Sequence, residues 1–225
     1  MKRARFLGIL SPFLILAAAV CFGGGGGEAA PVNPKGSIDY IEGDVRLNER
    51  EVELGQIVEV GSTILTGPGS YCEVVFRGKN IFQIQENSLV TISIDENQGR
   101  IDLQRGALAA VFSRLQNLGT VGSSFDLHTP TAVAGVRGTA FFIKVEDAEN
   151  TYICTCNGRT SLGDVAGGND INVSSTHHSA YRFSRKGGPI SRSKAGLLYH
   201  TDNTMNRLAA KILVSIDWGT GGYGY

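Results

Sequence analysis

From residue 38 to about residue 111 the chain alternates apolar and polar positions in short runs: SIDYIEGDVRLN, QIVEVGSTILTG, YCEVVFRGKNIFQIQ, LVTISID and GRIDLQRGALAAV. Glycines cut these runs roughly every 8 to 12 residues, the turn spacing of an all-β sandwich or roll. Period two assigns the faces: Ile81, Gln83 and Gln85 share one side of a strand, Phe82 and Ile84 the other. The pattern predicts an all-β fold, an antiparallel β-sandwich or β-roll of short strands, over residues 36–200. Residues 113–124, polar and broken by glycine, read as a loop. The period changes near the C-terminus. Met205, Leu208, Ala209, Ile212, Leu213 and Ile216 follow i, i+3, i+4, i+7, i+8 and i+11, one apolar stripe of a helix. It is expected over residues 201–218, capped by Thr201 or Asp202, closed by Trp218-Gly219 and packed on the sheet. The glycine-rich residues 219–225 are expected to be a flexible tail.

The N-terminal pattern is of another kind. Lys2, Arg3 and Arg5 precede an apolar run from Phe6 to Val20, the layout of a signal peptide over residues 1–20. The run is too short and too interrupted for a membrane span, which needs about 18 apolar residues or more. Cys21 follows Leu16-Ala17-Ala18-Ala19-Val20, which resembles a relaxed bacterial lipobox, with Val20 where a small residue is usual. Lipidation of Cys21 is the expectation, and ordinary cleavage after the alanines is the alternative. Gly23 to Gly27 and the residues to 35 then form a tether between anchor and domain. Loss of residues 1–20 removes three basic side chains and no acidic one, leaving 18 Lys and Arg against 21 Asp and Glu, a charge near −3. That balance argues against nucleic acid, and no basic run holds an anionic bilayer. Membrane contact is expected through the lipid anchor only.

One segment reads as a signature: TPTAVAGVRGTAF, residues 129–141. Pro130 biases Thr129 to an extended backbone, and Gly135 and Gly138 free the chain on either side of Arg137. A strand, a constrained bend and a second strand from Thr139 are expected, with Arg137 anchoring the bend on backbone carbonyls. No nucleophile with a base, and no pair of carboxylates, stands near it. The segment, with its extension to Val145 and the upstream VELGQIVEVGSTILTGPGSYCEVVF, resembles the FecR domain family, whose hallmark is Thr-Pro, a small-residue run, then Arg-Gly-Thr and an aromatic. Thr129, Pro130, Arg137, Gly138 and Thr139 carry the match. The resemblance implies an all-β domain of bacterial cell-envelope proteins. The family's regulators place a cytoplasmic anti-sigma segment and a membrane helix ahead of this domain. The signal peptide stands in their place here, so an interaction module is the expectation rather than a transmembrane relay.

The remaining chemistry lies in cysteines and histidines. Cys154 and Cys156, two apart in the alternating run TYICTCNG, project from one strand face. A disulfide between them would close a small, strained ring. Thiolate and imidazole together suit Zn, Cu(I) or Fe, and haem stays open as well. The candidate ligands are Cys154, Cys156, His177, His178 and His200, although the spacing is not that of a zinc finger. The run VSSTHHSAYRF reads as a strand, where adjacent histidines face opposite sides, so only one of His177 and His178 joins a given site. Structural cysteines and surface histidines are the alternative. Cys72 reads either as a small buried apolar side chain or as a disulfide partner for Cys154 or Cys156. His128 reads as a turn or edge residue. Lone acids such as Asp126 and Asp164 make no mechanism. The sequence therefore predicts a non-enzymatic envelope lipoprotein, facing the periplasm or the cell surface, that binds another envelope protein or a glycan. A metal- or haem-binding lipoprotein is the alternative.

Overall fold

Strands that are apolar on both faces must be covered on both, and the longest strands of this chain are of that kind. The structure, a computed structural model, describes residues 36–76, 80–94, 99–113 and 125–219, with Arg137 described by its backbone alone. The expected signal peptide, Cys21, the tether, residues 114–124 of the expected loop, the tail beyond 219 and the Arg137 side chain lie outside the described residues. The strands are β1 (Gly36–Glu42), β2 (Val45–Leu47), β3 (Arg50–Glu51), β4 (Ile57–Val58), β5 (Ser62–Thr66), β6 (Tyr71–Phe76), β7 (Asn80–Ile84) and β8 (Leu89–Ile94). There follow β9 (Gly99–Phe112), β10 (Phe125–His128), β11 (Ala132–Asp147), β12 (Asn150–Asp164), β13 (Ile171–Ser175), β14 (Ser179–Ser184) and β15 (Ser191–Ala195). One helix, α1 (Asp202–Lys211), comes after them.

The main path of the sheet is β15-β14-β12-β11-β10-β9-β7-β6-β1-β4, and β8, β5, β2 and β3 branch from β9. Most ladders are antiparallel, as expected, but β10 runs parallel to β9, with Phe125 opposite Gly99. The sheet closes over a first core in which Phe76, Phe82, Phe112, Phe125 and Phe141 are in ring contact. The opposite face of β7, β9, β11 and β12 presents Ile81, Ala109, Val111, Phe142 and Tyr152 to a second core. Met205, Leu208, Ala209 and Ile212 of α1 and its end close that second core. The period-two assignment holds here: Phe82 and Ile84 enter the first core, Ile81 the second. Each large apolar side chain so buried contributes about 1.5–3 kcal/mol.

Two local expectations need correction. The signature contains no bend at its glycines, because β11 runs unbroken from Ala132–Asp147. A bulge between Arg137 and Ala140, with Gly138 at φ +58°, lets the strand change partner, from β10 through Val136 to β9 from Ala140 onward. The tight turn lies earlier. The Thr129 hydroxyl accepts from the Ala132 amide at 2.9 Å, and Thr151 Oγ1 is 3.0 Å from Thr129 Oγ1 and 2.7 Å from that of Thr131. The helix is also shorter than the periodicity suggests. Thr201 caps it as expected, accepting from the Thr204 amide, but it ends at Lys211. Leu213 adopts φ +58°, its N–H bonds Ala210 O, and Val214 N–H bonds Ala209 O, a Schellman closure. Leu213, placed on the buried stripe by its spacing, is 94% exposed. Among the described residues no helix is long and apolar enough to cross a membrane.

Candidate metal centre

The two cysteines stand on β12 as the alternation requires, side by side on the face that enters the second core. Their sulfurs are 3.9 Å apart. The histidines are not on a strand: Thr176, His177 and His178 form the connection from β13 to β14. His178 has φ +48°, which undoes strand alternation and brings both rings to one side, with centroids 4.7 Å apart. His178 Nδ1 then lies 3.5 Å from Cys154 Sγ. His200 arrives from the segment between β15 and α1 and sets Nε2 at 3.2 Å from Cys156 Sγ. Its ring stacks on Phe142 of the signature strand, with centroids 4.5 Å apart.

Four donor atoms, Cys154 Sγ, Cys156 Sγ, one His178 nitrogen and one His200 nitrogen, lie within 4.8 Å of one another, a group that could hold a metal ion. A tetrahedral zinc with Zn–S about 2.3 Å and Zn–N about 2.0 Å places its sulfurs about 3.8 Å apart and sulfur and nitrogen about 3.5 Å apart. The separations of 3.9, 3.5 and 3.2 Å match that geometry.

The far side of each imidazole is also committed. His178 Nε2 lies 2.6 Å from Asp202 Oδ1, and His200 Nδ1 lies 2.8 Å from Leu198 O. With those nitrogens protonated, His178 Nδ1 and His200 Nε2 are left as lone pairs facing the sulfurs, the outer-shell arrangement that orients metal-bound histidines. His177 stands one step out: its Nε2 is 2.9 Å from Asp202 Oδ2, and its ring meets Trp218 edge-on. Four of the five candidate ligands thus converge, and Asp202 holds both neighbouring histidines.

The electrostatics follow from this packing. The hydrogen bond from Cys156, with those of His178 and His200, brings the Cys154 thiol down to about 4 against the opposing effect of burial. Burial first, and Cys154 second, drive Cys156 far up. Burial opposes the charged form of Asp202, yet His178 and His177 hold its carboxyl below the usual range. His178 is raised on balance, since burial lowers it but Cys154 and Asp202 lift it further. Cys72 is elsewhere. It is free, buried in the first core, and pushed up to about 12 by burial beside Glu73, so the small apolar reading holds and the disulfide reading does not. His128 ends β10 between Val133 of β11 and Asp102 of β9 and leads into the turn at Thr129, so it is a turn residue and not an edge residue. Asp164 spends its carboxylate on the amides of Ala166 and Gly168 and on Asn169, closing the β12–β13 turn.

The sequence signal for Asp202 was weak, because its partners lie 24 and 25 positions upstream and only the fold brings them together.

This is an all-β domain with one covering helix and a candidate S2N2 cation site at its back. Residues 62–159 match the family model described as FecR protein. Cys154 and Cys156 fall inside the matched stretch, His178 and His200 beyond it. Two crystal structures of a "putative anti-sigma factor" from Parabacteroides distasonis ATCC 8503 are similar to this chain, each at 13% identity and TM-score 0.48. In both cases 59% of each chain is covered, so this chain spans about three-fifths of the length of those proteins. No curated protein matches the sequence significantly.

Proposed function

We propose that the chain is a non-enzymatic envelope lipoprotein, anchored through Cys21, whose FecR domain is an interaction module for another envelope protein or a glycan and whose back face holds a zinc ion. The observation that carries the metal reading is the convergence of Cys154, Cys156, His178 and His200 on one point, with Asp202 and Leu198 O behind the imidazoles. A buried S2N2 set with tetrahedral spacing suits zinc among the common metals. Four donors this close accept a bare ion and leave no flat slot between them for a porphyrin. All four positions are filled by protein, which is the pattern of a structural site rather than a catalytic one, where water keeps one position.

Elemental analysis of the full chain, purified without chelator, tests the reading against a Cys154→Ser/Cys156→Ser variant. One zinc per chain in the parent and none in the variant is expected. Absence of metal in both after incubation with zinc and dialysis would overturn it. Lipidation is tested separately by the mass of the membrane-extracted protein, which should begin at a diacylated Cys21.

A further inference from the structure

The four donors are divided unequally between two parts of the fold. Cys154 and Cys156 belong to β12, and His178 to the β13–β14 connection, all within the sheet. His200 belongs to the stretch that leaves β15 at Ala195, crosses the back of the sheet and becomes α1. His200 immediately precedes the helix cap Thr201, and Asp202, which holds His178, is the first residue of the helix. An ion bound by all four groups would cross-link that cover to the sheet at the root of α1.

Apart from the apolar stripe of α1 and the ion pairs of Arg207 and Lys211 with the buried Glu73 at its far end, the cover has few fastenings. Tyr152 OH donates to Gly196 O at 3.0 Å and accepts from Leu198 N–H at 3.1 Å. Tyr199 OH donates to Glu146 at 2.6 Å. Beneath the helix the sheet offers Ile81 and Val111 but also Ala107, Ala109 and Ala140. Alanine buries little apolar area, so each such contact contributes less than a leucine would. A ten-residue helix gains almost nothing from propensity alone and depends on what fastens it.

We infer that zinc at this centre acts as a latch, its occupancy controlling whether residues 196–212 stay closed over the apolar back face of the sheet. The inference rests on the zinc reading and adds a regulatory consequence: loss of zinc becomes exposure of the face formed by Ile81, Ala109, Val111 and Phe142.

Amide hydrogen exchange of the full chain, with zinc and after its removal by a chelator, reads the latch directly. At free zinc one hundred times the Kd of the four-donor site and below that of the opened three-donor site, linkage lowers the opening equilibrium about 100-fold, so α1 amides should exchange about 100-fold faster once zinc is removed. They should then also exchange faster than the slowest amides of β9 and β11, which marks a local opening. A second variant, His200→Phe, keeps the stack on Phe142 and the three sheet donors. It should retain zinc at reduced affinity and lose the zinc dependence of α1 exchange. Zinc bound with α1 exchange unchanged would overturn the latch and leave the metal centre standing. No zinc bound to the parent would overturn the metal centre and the latch together.

Discussion

Cys156 Sγ and His200 Nε2 lie 3.2 Å apart although 44 positions separate them in the chain. Nothing local brings them together; the pairing exists only when the segment after β15 lies across β12. A ligand that binds this arrangement and not the unfolded chain stabilises the fold by about 2.7 kcal/mol at one hundred times its Kd. For a domain of this size that corresponds to about 5–10 °C in melting temperature. Calorimetry with and without zinc should show the rise in the parent and no rise in Cys154→Ser/Cys156→Ser. An equal rise in both proteins would mean that zinc acts elsewhere.

Glu146 predicts a pH dependence. Arg182 meets its carboxylate twice at 2.6 Å, and Tyr199, the residue before His200, adds a third bond. The Arg182 bonds first, and Tyr199 second, hold the carboxyl below its ordinary value against partial burial. A depressed carboxylate contributes stability that is present above about pH 4.5 and lost as pH falls through the folded value. Glu146→Gln should therefore cost about 1.5 kcal/mol at pH 6, and the gap to the parent should narrow toward pH 3. Thermal unfolding at both pH values checks this, and a gap constant with pH refutes it.

Glu73 predicts an asymmetry. Its side chain is fully buried, whereas its partners Arg207, at 2.6 Å, and Lys211, at 2.5 Å, remain 42% and 30% exposed. Taking away the cations strands a buried carboxylate, so Arg207→Met/Lys211→Met should cost about 3–5 kcal/mol. Taking away the carboxylate lets both cations turn to water, and the amide of Glu73→Gln can still bond Gln83. That variant should cost about 1–2 kcal/mol. Urea unfolding distinguishes the two, and equal costs would show that the ion pairs do not hold α1.

The same residues show what sequence reading can and cannot reach. Alternation assigned Ile81 and Phe82 to opposite cores because a strand imposes period two wherever it is regular. It put Cys154 and Cys156 on one face for the same reason. It separated His177 from His178 because it assumed a strand there, and a single left-handed residue in a turn removed that assumption. Helical periodicity likewise carried the stripe through Leu213, since a Schellman turn at a non-glycine residue leaves no mark in the pattern. The partner change along β11 was hidden too: glycine freedom at 138 is compatible with a bend or with a bulge, and neighbouring strands decide which.

Leu213 supplies a last prediction. Its backbone sits at φ +58°, where a side chain costs about 1–2 kcal/mol that glycine does not. Its side chain is 94% exposed, so truncation forfeits almost no burial. Both hydrogen bonds of the closure, Leu213 N–H to Ala210 O and Val214 N–H to Ala209 O, are made by the backbone and survive substitution. Glycine loses more chain entropy on folding, which offsets about 0.5–1 kcal/mol of the gain. Leu213→Gly should therefore stabilise the protein by about 0.5–1 kcal/mol, whereas Leu213→Ala, which keeps the Cβ, should not. Relief of strain at the helix end would raise the melting temperature by about 1–4 °C. A fall on Leu213→Gly would show instead that the leucine side chain, not the turn, holds the end of α1.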